Sequence, residues 1–430
     1  MPGASGLGDT LFPMAGNGGY DVQSYDIDLS WEPTSGRIDE TTVIVARATQ
    51  SLSQFNLDLS GLDVDRIQVD GSAAAFSRLG TELVMAPATP LVQGSTFTTT
   101  VHLTGVPQID QTGGWFRDPH GGVIVFGEPD GPAGWYPVND HPLDKATYTV
   151  RVTAPSTMTV AANGDLDGKE VHGATTTWTY ADRFPQASYL TTVAIGDYEI
   201  VDGGTSRNGV KIRNVFPRSR VQELTASFAQ QPQMIDAFET DFGPYPFDVY
   251  GALVIDGFDP GGALEIQTMS VFGNATSDGS VIPHELAHQW FGDSVSLRQW
   301  KDIWLNEGFA TYAELLWQQA LDPSFDITQE IRSQVAQHRI DRPITQVDAT
   351  LNGLFNESVY TRGSYLLHAL RLEIGDPDFF TVLHRWTSDH RAGNVDTAEF
   401  IALAEEVSGK QLGDLFDRWL NADPMPNDFG

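Results

Sequence analysis

PHELAHQWF, at residues 283–291, contains a His-Glu-x-x-His motif within a segment of helical apolar spacing. On a helix, His284 and His288 lie one turn apart on the same face, so both imidazoles can bind one ion. Glu285 lies beside them and can act as general base on a metal-bound water. A catalytic zinc site usually has three protein ligands, so this pair predicts a third one elsewhere. Because the sequence has no cysteine, that ligand must be a histidine or a carboxylate.

Further along the chain, WLNEGFATY at residues 304–312 puts Glu307 at the start of another segment with helical spacing. The pairing of His-Glu-x-x-His with Asn-Glu-Gly-Phe-Ala resembles the gluzincin aminopeptidases, the group of aminopeptidase N and leukotriene hydrolase. The resemblance implies one Zn²⁺ per chain, held by His284, His288 and Glu307. It also implies a hydrolase that removes the N-terminal residue from peptides with a free N-terminus.

A substrate-binding motif precedes the zinc helix. GGALE, at residues 261–265, is similar to the family's Gly-Ala-Met-Glu-Asn, with Leu264 for Met and Ile266 where Asn is usual. The resemblance implies that Glu265 binds the substrate α-amino group and that the backbone of Gly262 and Ala263 aligns the peptide. An α-amino group is largely cationic at neutral pH, so a carboxylate fixed at one distance from the zinc selects substrates by their free N-terminus.

Two more site residues rest on the same resemblance. Glu128, in FGEP at residues 126–129, precedes residues 135–148, which look like a degenerate form of the family's Cys-Trp-Asp-Glu-Pro…Lys-Ala-Thr-Phe segment. It is expected to be a second amine-binding acid. SVYTRG, at residues 358–363, resembles Val-Tyr-Glu-Lys-Gly and implies that Tyr360 donates to the oxyanion formed when water attacks the carbonyl. A phenol suits this role because it stays protonated at neutral pH.

The apolar pattern divides the chain near residue 202. Before it, many short runs alternate with period two, which predicts an N-terminal, largely antiparallel β-sheet domain over residues 1–202. Beyond it the spacing is mostly helical, and the resemblance implies a thermolysin-like, mainly α-helical catalytic domain over residues 203–430. Within it, Asp396 and Glu399 form a capping-box pattern and Gly409 predicts the helix end. We expect no C-terminal helical domain after it, and hence a more open cleft.

Composition excludes several classes of function. The 25 Lys and Arg residues stand against 57 Asp and Glu, giving a net charge of −32. Such a charge disfavours nucleic acid and anionic lipid surfaces as partners. No apolar stretch approaches the roughly 18 to 20 residues that span a bilayer. The N-terminus lacks the features of a signal peptide, so we expect a cytoplasmic monomer, or a secreted one if an upstream signal was removed.

The sequence therefore predicts a zinc-dependent aminopeptidase, with two alternatives. A zinc metalloendopeptidase would use the same chemistry with a relaxed requirement for a free amine, and Glu265 is the residue that argues against it. A catalytically silent zinc-bound module that binds peptides would need neither Glu285 nor Tyr360.

Overall fold

The computed structural model describes residues 1–107, 109, 113–257, 262–273 and 281–427. Contacts among these residues divide the chain into two compact units. The first comprises Met1–Asp202, Arg213–Ala226 and Asp248–Ala275, and the second comprises Gly203–Ile212, Ser227–Phe247 and Thr276–Gly430. The domain bounds 1–202 and 203–430 stay a proposal from the sequence.

Strands make up most of the first unit, and the second unit contains the short strands Ser296–Leu297 and Asn394–Val395. In chain order the strands are β1 (Tyr20–Trp31), β2 (Ile38–Ala48), β3 (Phe55–Asp58), β4 (Asp63–Val69), β5 (Ser72–Ala73), β6 (Ala75–Leu79), β7 (Glu82–Ala86), β8 (Thr96–Gly105), β9 (Gly113–Arg117), β10 (Val123–Gly127), β11 (Ala146–Pro155), β12 (Thr159–Ala162), β13 (Asp165–His172), β14 (Thr175–Gln186), β15 (Val193–Gly196), β16 (Tyr198–Thr205), β17 (Lys211–Pro217), β18 (Val249–Tyr250), β19 (Ala252–Val254), β20 (Ala263–Leu264), β21 (Ser270–Phe272), β22 (Ser296–Leu297) and β23 (Asn394–Val395).

The longest sheet of the first unit has the order β13-β14-β11-β1-β2-β8-β4-β5. Among its pairs, β1 with β11 is parallel and the others are antiparallel. In β1, Tyr25, Ile27 and Leu29 are buried, whereas Asp28 and Ser30 between and beside them are exposed. Alternate side chains of a strand point to opposite faces, so one face of this sheet packs on the core. The predicted β-rich, largely antiparallel N-terminal domain is confirmed.

Two smaller sheets of the first unit carry the predicted amine-binding acids. One has the order β12-β15-β10-β9, and Glu128 directly follows β10. In the other, β17, β19, β21 and β20 follow one another, and Glu265 directly follows β20. Phe126 and Ile266, which lie close to these acids in the chain, belong to the same buried apolar cluster.

Helices dominate the second unit. The helices of the described residues are α1 (Val221–Ser227), α2 (Gln231–Phe242), α3 (Val281–Ala287), α4 (Trp304–Leu321), α5 (Ile327–Gln337), α6 (Leu351–Leu354), α7 (Gly363–Ile374), α8 (Asp376–Asp389), α9 (Thr397–Ser408) and α10 (Gly413–Asn421). Of these, α1 lies almost wholly in the first unit. A π-helical turn, Ser358–Arg362, runs directly into α7. Helix α4 packs against α3, α7 and this π-helical turn.

The predicted ends of α9 are confirmed. The Asp396 carboxylate accepts a hydrogen bond from the Glu399 backbone N–H, and the Glu399 carboxylate accepts one from the Asp396 N–H, each at 3.0 Å. Gly409 follows the helix with a φ of 67°, in the left-handed region that glycine adopts without strain. No helix of the described residues combines the length and the apolar composition needed to cross a bilayer.

Candidate metal centre

The His-Glu-x-x-His motif lies at the C-terminal end of α3. His284 and Glu285 belong to the helix, and His288 comes directly after its last residue. The His288 N–H still donates to the His284 carbonyl oxygen at 3.3 Å, so the helical turn continues through it. The two imidazole centroids lie 4.8 Å apart. Both rings and the Glu285 side chain are buried and lie close together, as the spacing predicts.

Helix α4 brings a carboxylate to the two imidazoles. Glu307 lies in the first turn of α4, and its Oε2 is 3.2 Å from His284 Nε2 and 3.4 Å from His288 Nε2. The three candidate ligand atoms all lie within 4.8 Å of one another. Two imidazole nitrogens and one carboxylate oxygen form the donor set of a catalytic zinc site with one position left for water. The residues present therefore fit a zinc ion.

The histidines and carboxylates of this centre shift one another's pKa values. Burial disfavours the charged form of His284, but hydrogen bonds to Glu307 and Glu314 raise its pKa well above its usual value. Burial also disfavours the Glu307 carboxylate, yet His288 and His284 lower its pKa to about 2. A ligating imidazole is neutral, so a metal ion bound here would replace a proton on His284.

Two contacts that the motifs did not predict orient the imidazole rings. His284 Nδ1 lies 2.9 Å from Glu314 Oε1, on the same helix as Glu307. His288 Nδ1 lies 3.0 Å from the Phe291 carbonyl oxygen, which accepts a hydrogen bond from Nδ1–H and leaves Nε2 as the ligand atom. Residues seven apart share one face of a helix, so the spacing of Glu307 and Glu314 was the signal that could have identified the latter.

Tyr360 lies beside the same centre. It is half-buried within the π-helical turn, and its ring is stacked on that of His284, with centroids 6.0 Å apart and planes at 22°. π-Helical turns within α-helices are frequently found at functional sites. The second unit thus brings together the zinc ligands, the base and the tyrosine that the sequence predicts.

Two glycines allow α4 and the π-helical turn to approach closely. A Cβ added to Gly308, the residue after Glu307, would lie 3.0 Å from the Cα and carbonyl carbon of Gly363. Any larger residue at this position would push the two backbones apart. The glycines of the Asn-Glu-Gly and Thr-Arg-Gly segments therefore bring Glu307 and Tyr360 to one place.

The predicted amine-binding residues lie in the first unit. Glu265 is buried, and its Oε1 accepts a hydrogen bond from the buried Tyr189 hydroxyl at 3.3 Å. Ile266, where the family usually has Asn, is fully buried in an apolar cluster. Glu128 is also buried. The sequence pattern did not identify Tyr189, which lies far from Glu265 in the chain.

The backbone of the Gly-Ala segment is partly described. The Gly262 carbonyl oxygen accepts a hydrogen bond from the Gly273 N–H at 3.1 Å, and Ala263 pairs with Phe272 across β20 and β21. Gly262 has a φ of 141°, which a residue with a side chain rarely adopts. Gly261, the first residue of the predicted motif, lies outside the described residues.

Comparison with known families gives two matches. The peptidase M1 N-terminal domain matches residues 22–190, and the peptidase family M1 domain matches residues 226–419. Among curated proteins, the chain is 28% identical over 310 residues to aminopeptidase N of Streptomyces lividans, covering 65% of this chain and 36% of the relative. It is 24% identical over 310 residues to aminopeptidase 2 of Candida albicans, covering 66% and 33%. The chain spans about a third of the length of the curated relatives it matches.

Solved structures match over almost the whole chain. One is a mutant M1 zinc metallopeptidase from Deinococcus radiodurans bound to a Tyr-Ser-Ala substrate, with 29% identity, a TM-score of 0.88 and 98% of each chain covered. Another is a two-domain M1 zinc metallopeptidase mutant bound to L-tryptophan, with 30% identity, a TM-score of 0.90, and 98% of this chain and 99% of the other covered.

Proposed function

This chain belongs to the peptidase M1 family, and we propose that it is a zinc-dependent aminopeptidase. The observation that carries the proposal is the convergence of His284, His288 and Glu307 within 4.8 Å, with Glu285 buried beside them. These three residues would hold the zinc. When bound, zinc lowers the pKa of a coordinated water and polarises the scissile carbonyl.

The base and the tyrosine act on the reacting groups. Glu285 takes a proton from the attacking water and later gives it to the leaving amine. The Tyr360 hydroxyl donates a hydrogen bond to the oxyanion, and this bond strengthens as negative charge develops on the carbonyl oxygen. The stacking of Tyr360 on His284 supports this role, because it keeps the phenol beside the zinc ligands.

Amine recognition supports an exopeptidase in preference to an endopeptidase. Glu265 and Glu128 provide two buried carboxylates for the α-ammonium group, and burial strengthens such charge-assisted bonds. β20 is the last strand in the order of its sheet among the described strands. An extended peptide can pair with the backbone at the edge of a sheet, and Gly262 and Ala263 are the residues that would align the substrate there. Two related structures hold a tripeptide and a free amino acid, and both of these ligands carry an α-amino group.

A panel of aminoacyl arylamides, each with a free and an acetylated amine, tests the proposal. We expect cleavage of the free-amine substrates alone, lost on chelation and restored by zinc. Equal cleavage of acetylated substrates would identify an endopeptidase. Zinc binding without cleavage of any substrate would identify a peptide-binding module. Light scattering coupled to size-exclusion chromatography tests the predicted monomer.

The Glu285→Gln variant tests the base directly. The amide keeps the size of the side chain but accepts no proton, so we expect turnover to fall by about 10²- to 10⁴-fold. Zinc content, measured by atomic absorption, should remain one per chain because Glu285 is not a proposed ligand. Full activity in this variant would exclude Glu285 as the base.

A further inference from the structure

Arg362 is the last residue of the π-helical turn that contains Tyr360, and its side chain is fully buried. All five guanidinium N–H groups donate to backbone carbonyl oxygens. Nε donates to Trp419 at 2.8 Å, Nη1 to Asp341 at 2.8 Å and Arg342 at 3.0 Å, and Nη2 to Arg418 at 3.3 Å and Ala422 at 2.7 Å.

These acceptors come from two separate segments. Arg418 and Trp419 lie in the last turn of α10, and Ala422 follows that helix. The last carbonyl groups of a helix carry its partial negative charge, so a buried cation is favourable there. Asp341 and Arg342 lie in the loop after α5. The Arg362 guanidinium therefore ties the π-helical turn to the end of α10 and to this loop.

The loop and the segment after α10 are also tied to each other. Asp341 Oδ1 accepts from the Met425 N–H at 3.1 Å and from Arg339 Nε at 2.7 Å. Arg339 Nη1 donates to Asn427 Oδ1 at 2.8 Å, and its Nη2 donates to the Met425 carbonyl oxygen. Because these hydrogen bonds join the loop after α5 to the segment after α10, the backbone carbonyl groups that accept from Arg362 are held in fixed positions.

The π-helical turn that carries Tyr360 has a second anchor. Gly363, which follows Arg362, lies against Gly308 of α4. A turn that is anchored at Gly363 by close packing and at Arg362 by its hydrogen bonds has little freedom to rotate, and the ring of Tyr360 is carried by that turn. Burial lowers the pKa of Arg362 to about 10, which still leaves the guanidinium charged at neutral pH.

We propose that Arg362 is a positioning residue that holds the Tyr360 hydroxyl at the oxyanion by anchoring the π-helical turn to the end of α10. The inference rests on the proposed function, since it requires that Tyr360 acts in the reaction. Lysine cannot replace arginine here. Its ammonium has three N–H donors on a single nitrogen, whereas the site has acceptors for the five N–H donors of a planar guanidinium.

A double-mutant cycle tests the proposal on the full chain loaded with zinc, using an aminoacyl arylamide. Tyr360→Phe should lower kcat by about 10²- to 10³-fold, as expected for loss of an oxyanion donor. Arg362→Lys should lower kcat by about 10- to 100-fold with KM within about twofold, because a displacement near 1 Å has that effect on a reacting group. In the Tyr360→Phe background, Arg362→Lys should change kcat by less than about twofold. Arg385→Lys, on α8 and partly exposed, is the matched control and should change nothing.

The outcomes separate the two hypotheses. Full activity in Tyr360→Phe would overturn the role of Tyr360. A loss in Tyr360→Phe without one in Arg362→Lys, or an equal loss from Arg362→Lys in both backgrounds, would overturn the role of Arg362 alone. If Arg362→Lys does not fold, Arg339→Gln decides the matter. Arg339 is partly exposed, and its hydrogen bonds to other described residues go to Asp341, Met425 and Asn427, in the segments that provide the acceptors. A lower kcat at unchanged KM and zinc content supports the proposal, and an unchanged kcat overturns it.

Discussion

Replacing Glu314 with alanine is expected to weaken zinc binding while leaving the three ligands in place. The Glu314 carboxylate lies 2.9 Å from His284 Nδ1 and fixes both the orientation of the ring and the tautomer that leaves Nε2 free for the metal. Without it, His284 can rotate or carry its proton on the ligating nitrogen. Zinc binding must then order the His284 side chain, and the affinity for zinc falls.

The size of the effect follows from the exposure of the contact. Loss of such a partner weakens metal affinity by about 10- to 100-fold, which is about 1.4 to 2.7 kcal/mol. The Glu314 side chain is 27% exposed, and water can replace some of its contribution, so we expect a value near tenfold. Glu314→Gln should have a smaller effect, because the amide oxygen can still accept the Nδ1 proton.

Competition with a fluorescent zinc chelator measures the affinity of each variant, and circular dichroism shows that the metal-free protein is folded. Gln318→Ala is the control, since this exposed residue lies further along the same helix. An affinity of Glu314→Ala within about twofold of the parent, or an equal loss in Gln318→Ala, would refute the reasoning.

Three further predictions concern packing, buried charge and amine recognition. Gly308→Ala should destabilise the protein by about 1 to 3 kcal/mol, because its Cβ would lie 3.0 Å from the Gly363 backbone; urea unfolding measures this, and unchanged stability would contradict it. Burial raises the pKa of Glu40 to about 8, so the stability it contributes is full below about pH 4.5 and is lost as the pH rises through about 8. Glu40→Gln should therefore lose less Tm than the parent between about pH 5 and 9, and parallel Tm curves would argue against a buried, protonated Glu40. Tyr189→Phe, which removes the hydrogen bond to Glu265, should raise KM for free-amine substrates more than it lowers kcat, and a fall in kcat alone would show that Tyr189 acts elsewhere.

Several features of this protein follow from local sequence. The period of two in β1 predicts which side chains are buried, because a strand exposes alternate residues to the core and to solvent. Asp396, Glu399 and Gly409 predict both ends of α9, because capping is made between residues three or four apart. The spacing of His284 and His288 is also local, and it predicts that the two side chains converge, because residues four apart lie on the same face of a helix.

Other features required the packing of distant segments. The family resemblance implies Glu307 as the third ligand, but its distances to the two imidazoles arise from the packing of α4 on α3. Tyr189 and Glu265 are 76 residues apart, and no local pattern links them. Segments 213–226 and 248–275 belong to the first unit although they follow residue 202, because they pack with the strands that precede it.

By itself, the sequence determined the helical His-Glu-x-x-His pair, the β-rich first half and the helical second half, since these patterns depend on residues a few positions apart. Tertiary structure alone decided the close approach of Gly308 to Gly363 and the anchoring of Arg362. The physical reason is that the Arg362 acceptors are backbone carbonyl groups, which every residue has, so no side-chain pattern marks them. Only the packing of α10 and the loop after α5 brings those five oxygens to one guanidinium.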